Sequence, residues 1–168
     1  MRRLILFRHA KTEVRPPGRE DIDRVLTPRG RSDAALMGRV LAQAGVIPDL
    51  VLVSPAKRAR ETWDCAAPAF PNARLEERDG LYSATPEEVE AELGAGAGAD
   101  TVMVVGHNPS LQELAVNLLL DGGGSAADIE ILSAGFPTAT AAVFRIDDAG
   151  RVSLSDLFRA RDHRPDDA

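Results

Sequence analysis

Three short apolar runs punctuate the chain: Leu4 to Phe7, Leu50 to Val53 and Val102 to Val105. Each is continuous rather than alternating and rich in Val, Ile or Leu, the pattern of strands covered on both faces. Between and after them the apolar positions fall at helical spacing. LTPRGRSDAALMGRVLAQAG offers Thr27 as a cap, Pro28 at the first helical position, a stripe of Leu36, Met37, Val40, Leu41 and Ala44, and Gly45 as a stop. SPAKRARETWDCAA places Ala59, Trp63 and Ala66 on one face. TPEEVEAEL carries Thr85 and Glu88 at capping-box spacing, and a fourth helix follows Asn108-Pro109 with Leu111, Leu114, Ala115 and Leu118 turned inward.

Strand and helix thus alternate, which predicts an α/β three-layer sandwich: a mostly parallel central sheet, helices on both faces, right-handed crossovers. AAVFRI and RVSL flank Asp147-Asp148-Ala149-Gly150, a hairpin signal that adds one antiparallel strand. GAGAGAD and DGGGSAAD resemble phosphate loops in composition only. A dinucleotide fingerprint follows a strand and opens a helix, and Gly94 to Ala99 has the reverse context, so both stretches read as connectors.

With 168 residues the chain is expected to form one domain over 1–168, with residues from about 160 onward a solvated tail. No apolar stretch approaches the roughly 18 to 20 residues that cross a bilayer, and the run after the basic N-terminus is too short for a signal peptide, so no membrane association and a cytoplasmic location are expected. The single cysteine, Cys65, excludes an internal disulfide and a multi-cysteine zinc site and reads as an inert thiol. Net charge is −6, yet residues 1–31 hold nine Arg or Lys against four acids, leaving −11 on the remainder. That balance argues against nucleic-acid binding, which needs a broad basic surface, while leaving room for a small cationic site. No interface stripe is evident, and a monomer is expected.

Ligands of parallel sheets bind beyond the carboxyl ends of the strands. There the runs end in Arg8-His9, in Ser54-Pro55 with Arg58 one turn on, and in Gly106-His107-Asn108-Pro109. Lys57, Arg58 and Arg60 crowd the first turns of a helix whose dipole is already positive, an arrangement that a bound dianion would relieve. Lys57 and Arg60 read as solvated, and Arg58 as converging with the two strand-end histidines. Arginines with bidentate geometry and a neutral imidazole are what phosphoryl transfer to a histidine requires. No metal-ligand spacing such as HExxH is present, and cations beside Arg8 and Arg58 are electrostatically unfavourable, so neither a metal nor an organic cofactor is expected.

FRHAKTE, SPAKRARET and VVGHNP, in that order, resemble the three motifs of the histidine phosphatase superfamily, and most of all its short bacterial SixA-like phosphohistidine phosphatase branch. LTPRGR, GLYSATPEEV and FPTAT are similar to further branch features. The resemblance implies His9 as the nucleophile, with Arg8, Arg58 and His107 forming the phosphate pocket. Ala10 stands where the broader motif has glycine, and Lys11 is either a phosphate ligand or a solvated lysine. The resemblance also implies a leaving-group acid in EERDGLY, for which Glu77 is the candidate and Asp79 the second; a solvated strand-end role for Glu76 and Glu77, with no acid, stays open. The expected substrate is a phosphorylated protein carrying phosphohistidine, with small phosphate monoesters as the alternative and a non-catalytic phosphate-recognition module as the reading from another class. No long insertion separates the motifs to form a lid, which fits an open site better than a mutase pocket.

Overall fold

The computed structural model describes residues 1–94 and 98–165. Six strands, β1 (Arg3–Arg8), β2 (Leu50–Val53), β3 (Arg74–Glu77), β4 (Thr101–Gly106), β5 (Thr140–Ile146) and β6 (Val152–Arg159), form one sheet in the order β3-β2-β4-β1-β5-β6. β1 to β4 pair in parallel, β5 runs antiparallel to β1, and β6 turns back antiparallel to β5. The reversed strand is therefore β5, as the hairpin signal predicted. Asp147 closes that hairpin by accepting from the amides of Ala149 and Arg151, both at 2.9 Å.

The continuous apolar runs are explained by two cores, one on each side of the sheet. Ile5, Phe7, Val51, Val53, Met103 and Val105 face α1 (Pro28–Gln43) and α2 (Lys57–Ala66), meeting Met37, Leu41 and Trp63. Their neighbours Leu4, Leu6, Leu50, Leu52, Val102 and Val104 face α3 (Pro86–Gly94), α4 (Ser110–Gly122) and α5 (Ala126–Ala134), meeting Val89, Leu111, Leu114 and Leu132. Alternate residues of one strand thus serve opposite layers. At 25 cal/mol per Å², each such side chain contributes roughly 1.5 to 3 kcal/mol on burial.

The caps form as expected. Thr27 Oγ1 accepts from Gly30 N at 2.9 Å, and Thr85 and Glu88 exchange the two capping-box hydrogen bonds. The buried face of α1 is rotated from the expected stripe: Ala34, Met37, Gly38 and Leu41 point inward, whereas Leu36 and Val40 are half-buried and Ala44 is exposed. Gly38 explains the rotation. A Cβ there would lie 2.7 Å from the Ala66 carbonyl oxygen, so α1 and α2 approach along a side that only small residues permit.

Two expectations are corrected, and one strand gave no apolar signal. DGGGSAAD is not a connector throughout: Asp121 and Gly122 finish α4, Gly123 closes it at φ +76°, and Ser125 caps α5 by accepting from Asp128 N at 3.1 Å. β3 was hidden because its sequence, RLEE, is polar, as suits an exposed edge strand. The supposed tail is ordered at its start: residues 160–162 make a 3-10 turn with Ala160 buried, and Arg164 grips buried Asp33 through Nε at 2.9 Å and Nη2 at 2.6 Å. Residues 95–97 and 166–168, parts of the GAGAGAD stretch and of the expected tail, lie outside the described residues. Cys65 is a partly buried free thiol whose pKa burial pushes upward, which fits an inert group. Among the described residues no helix is long and apolar enough to cross a membrane.

Candidate active site

Strand order decides which strand ends meet. β4 lies between β2 and β1, and the register pairs Arg8 with Gly106 and Val53 with Val105. The residues that follow, His9, His107 and Ser54, therefore emerge side by side at one edge of the sheet. The rings of His9 and His107 sit 5.3 Å apart between centroids, and each residue is only 8% exposed.

His9 Nδ1 lies 2.8 Å from the Ala10 carbonyl oxygen. A carbonyl only accepts, so Nδ1 carries the proton and Nε2 keeps its lone pair. Burial, which disfavours a charged ring, lowers the His9 pKa to about 4; the Ala10 hydrogen bond opposes this, and Arg58, Arg8 and Arg24 reinforce it. His107 is driven to about 3, again first by burial, then by Arg58 and His9, with Asp21 opposing. Both rings are consequently neutral at physiological pH.

His107 Nε2 lies 2.7 Å from Ser54 Oγ. Ser54 Oγ also accepts from Ala56 N at 3.3 Å; in the tautomer in which its hydroxyl donates to Nε2, the His107 proton sits on Nδ1. That Nδ1 is buried without a partner among the described residues, a donor prepared for an acceptor.

The loop after His9 is fixed to both helices on its side of the sheet. Thr62 of α2 accepts from Ala10 N at 3.0 Å and donates to the Arg58 carbonyl at 2.7 Å, and the Lys11 carbonyl accepts from Thr27 N at 2.9 Å. Gly30 makes this possible, since a Cβ on it would stand 2.2 Å from the Lys11 oxygen. Ala139 N donates to the His9 carbonyl at 3.1 Å, so the FPTAT segment closes the other side.

Arg58 is 7% exposed and held by Asp21, donating from Nη1 to its carbonyl at 2.9 Å and from Nη2 to its carboxylate at 3.1 Å. Tyr82 donates its hydroxyl to the same carboxylate at 3.0 Å, and Arg24 approaches it at 3.4 Å. These hydrogen bonds and the Arg58 charge hold the Asp21 carboxyl below the ordinary carboxylate range, although burial pushes the other way. Arg8 donates from Nη1 to the Phe136 carbonyl at 2.9 Å.

The structure thus brings together Arg8, His9, Arg58 and His107. Glu77 ends β3 opposite Val53 of β2, three strand spacings or roughly 14 Å from β1, is exposed, and pairs with Arg60 at 3.7 Å, and no hydrogen bond joins it to the two histidines among the described residues. Asp79 is exposed in the 3-10 turn 79–81, and Lys11 is exposed as well. Sequence reasoning missed Ser54, Thr62 and Tyr82 as polar partners, and missed Asp21 and Arg24 altogether. Asp21 and Arg24 lie in the polar stretch between the first strand and helix, where no periodicity singles out a residue; Ser54 did follow a strand, but its role depends on the neighbouring strand. Among the described residues Arg8, Arg24 and Arg58 stand against a single acid, Asp21, so the pocket suits a small dianion. Among the described residues no cluster of three or more metal-ligating side chains occurs.

The family model of the histidine phosphatase superfamily (branch 1) matches residues 4–84. An uncharacterised protein of Mycobacterium tuberculosis is 41% identical over 141 residues, covering 83% of this chain and 87% of the relative. The structure of a candidate phosphohistidine phosphatase SixA from Agrobacterium tumefaciens superposes with a TM-score of 0.84 at 30% identity, covering 94% of this chain and 97% of that one. The protein histidine phosphatase SixA in complex with tungstate shares the fold at a TM-score of 0.78 and 22% identity, over 96% of this chain and 99% of its own.

Proposed function

Because the chain belongs to the histidine phosphatase superfamily, we propose that it is a phosphatase that works through a covalent phosphohistidine on His9 and acts on protein phosphohistidine. The observation that carries this reading is the His9–Ala10 contact, which pins the proton on Nδ1 and leaves a neutral Nε2 as nucleophile beside two arginines.

In the first step the Nε2 lone pair attacks phosphorus, and the bond to the leaving group breaks with its electron pair, the charge being met by a proton already carried on the leaving imidazole or taken from water. Arg8, Arg58 and the Nδ1–H of His107 take up the charge on the phosphoryl oxygens, a preorganised electrostatic role. In the second step water attacks phosphorus, inorganic phosphate departs, and Nε2 recovers its lone pair. No metal or cofactor takes part in these steps.

The substrate class follows from what stands near the leaving group. General acid help is worth about 10² to 10⁴ in rate for a poor alkoxide leaving group. Glu77 is tied to Arg60 at the sheet edge, and Asp21, whose pKa is lowered by Tyr82, Arg58 and Arg24, is held ionised and has no proton to donate. Imidazole leaves from phosphohistidine with less help than an alkoxide, so this site favours the P–N bond. Small phosphate monoesters are the second reading, and the sequence carries no long insertion between the motifs that would close a lid against them.

The test compares a phosphohistidine protein with small alkyl and aryl phosphates in the presence of chelator, using wild type and His9→Ala. The reading predicts kcat/KM for phosphohistidine above that for alkyl phosphates by about tenfold or more, with all turnover lost in His9→Ala. A preference for alkyl phosphates favours the second reading. Phosphopeptide binding without any turnover in the wild type identifies a recognition module.

A further inference from the structure

A hollow of about 470 Å³ adjoins the site through Arg8 and Asn108, the chain neighbours of His9 and His107, and is lined also by Phe136, Arg159 and Arg161, with Ile131 of α5 at 45% exposure beside them. Among the described residues three guanidinium groups line it and no carboxylate does. Of those residues Asp162 is the acid paired with them, 4.0 Å from Arg159 Nη1 and 3.7 Å from Arg161 Nε, so their positive charge is in excess of it. This concentration occurs in a chain of net charge −6, where like charges gathered without an anion carry a repulsive cost.

The walls are built rather than incidental. Arg8 Nη1 and Asn108 Nδ2 both donate to the Phe136 carbonyl, at 2.9 and 3.1 Å, and Gln112 Nε2 donates to the Leu132 carbonyl at 2.9 Å, which fixes the end of α5. Arg159 ends β6 opposite Thr140 of β5. Asn108 Oδ1 and the Nε atoms of Arg8 and Arg159 are buried without partners among the described residues. The FPTAT segment, which the catalytic steps leave unused, supplies Phe136 and Pro137 as the apolar part of the lining.

We propose that this hollow is a specificity subsite that seats an acidic segment of the phosphorylated protein next to the phosphohistidine. The inference rests on the reading of the enzyme as a protein phosphohistidine phosphatase. Arg8 joins the two sites: its neighbour His9 receives the phosphoryl group while its own side chain walls the hollow, so an Asp or Glu close to the phosphohistidine meets Arg159 and Arg161. Charge complementarity selects the occupant, because with Arg8 engaged by the phosphoryl group a neutral or basic segment leaves Arg159 and Arg161 with Asp162 as their one acidic partner among the described residues.

The experiment uses two phosphohistidine peptides of equal length, one with Asp and Glu around the phosphohistidine and one with Asn and Gln, together with a small aryl phosphate. Wild type is expected to favour the acidic peptide in kcat/KM by about tenfold at low salt, with the preference shrinking as salt rises. Arg161→Ala should abolish the preference and Arg161→Glu should invert it, whereas Arg2→Ala, the same charge loss at the opposite end of β1, should retain it. Arg161 is 62% exposed in its side chain, so both variants are expected to fold, which thermal unfolding checks. Equal rates on the two peptides, or a preference that survives both Arg161 variants, overturns the inference while leaving the catalytic reading intact. Cleavage of the aryl phosphate with neither peptide touched overturns the substrate reading and the subsite together. An Arg161-dependent preference for a small bisphosphate over the acidic peptide assigns the hollow to a second phosphate group and also overturns it.

Discussion

Asp21 meets Arg58 twice, its backbone carbonyl accepting from Nη1 at 2.9 Å and its carboxylate from Nη2 at 3.1 Å. A carboxylate inside a phosphate pocket repels the ligand, so its presence needs a compensating effect. That effect is orientation. Long arginine side chains lose rotamer freedom when they bind, and Asp21 with Tyr82 removes that freedom from Arg58 in advance. Asp21→Ala is therefore expected to lower kcat/KM about tenfold to a hundredfold on any phosphoryl substrate, measured by steady-state kinetics. An increase in kcat/KM means that repulsion outweighs orientation and that the assignment is wrong.

The two buried imidazoles make stability depend on pH in a direction fixed by their shifts. Both pKa values are lowered in the folded protein, to about 4 and about 3, from an ordinary value near 6.5. Between these limits the unfolded chain binds the protons, so stability is full above pH 6.5 and falls as the pH drops towards 4. At pH 5 each histidine accounts for about 2 kcal/mol of lost stability. Urea unfolding at pH 7.5 and pH 5 should show this loss, and His107→Asn should remove close to half of it. A pH-independent midpoint over that interval means that the rings are not buried and neutral as described.

Glu77 separates the expectation drawn from family likeness from the arrangement seen in the fold. Its carboxylate faces Arg60 at 3.7 Å on an exposed edge strand, three places along the sheet from β1. Glu77→Gln should accordingly change kcat/KM for phosphohistidine and for alkyl phosphates by less than about twofold, in line with an exposed ion pair. A selective loss on alkyl phosphates restores Glu77 as the leaving-group acid.

How much of this was legible beforehand depended on the kind of signal. Leu50 to Val53 and Val102 to Val105 announced themselves because a strand covered on both faces has to be apolar throughout, and their ends then located His107 and the position, though not the role, of Ser54. Thr27, Thr85 and Glu88 were legible because capping is local chemistry. β3 was not, since an edge strand with one solvated side carries RLEE without an apolar run, and α5 was obscured by the glycines before it. Asp21 was out of reach for a different reason: its partners, Arg58 and Tyr82, stand 37 and 61 residues further along the chain. No spacing rule connects positions that only strand order brings together. The inward face of α1 was misjudged at Leu36 and Val40 because the decisive residue, Gly38, acts through what it lacks.

The central claim is that His9 Nε2 becomes bonded to phosphorus during turnover. The most direct measurement mixes enzyme with excess phosphohistidine peptide or aryl phosphate, quenches within the first turnovers under alkaline conditions that preserve phosphoramidates, and maps the modified peptide by mass spectrometry. The account predicts one added phosphoryl group on the peptide containing His9, appearing and decaying at rates that match turnover. Steady hydrolysis with no covalent phosphate, or a phosphate carried by a residue other than His9, contradicts it.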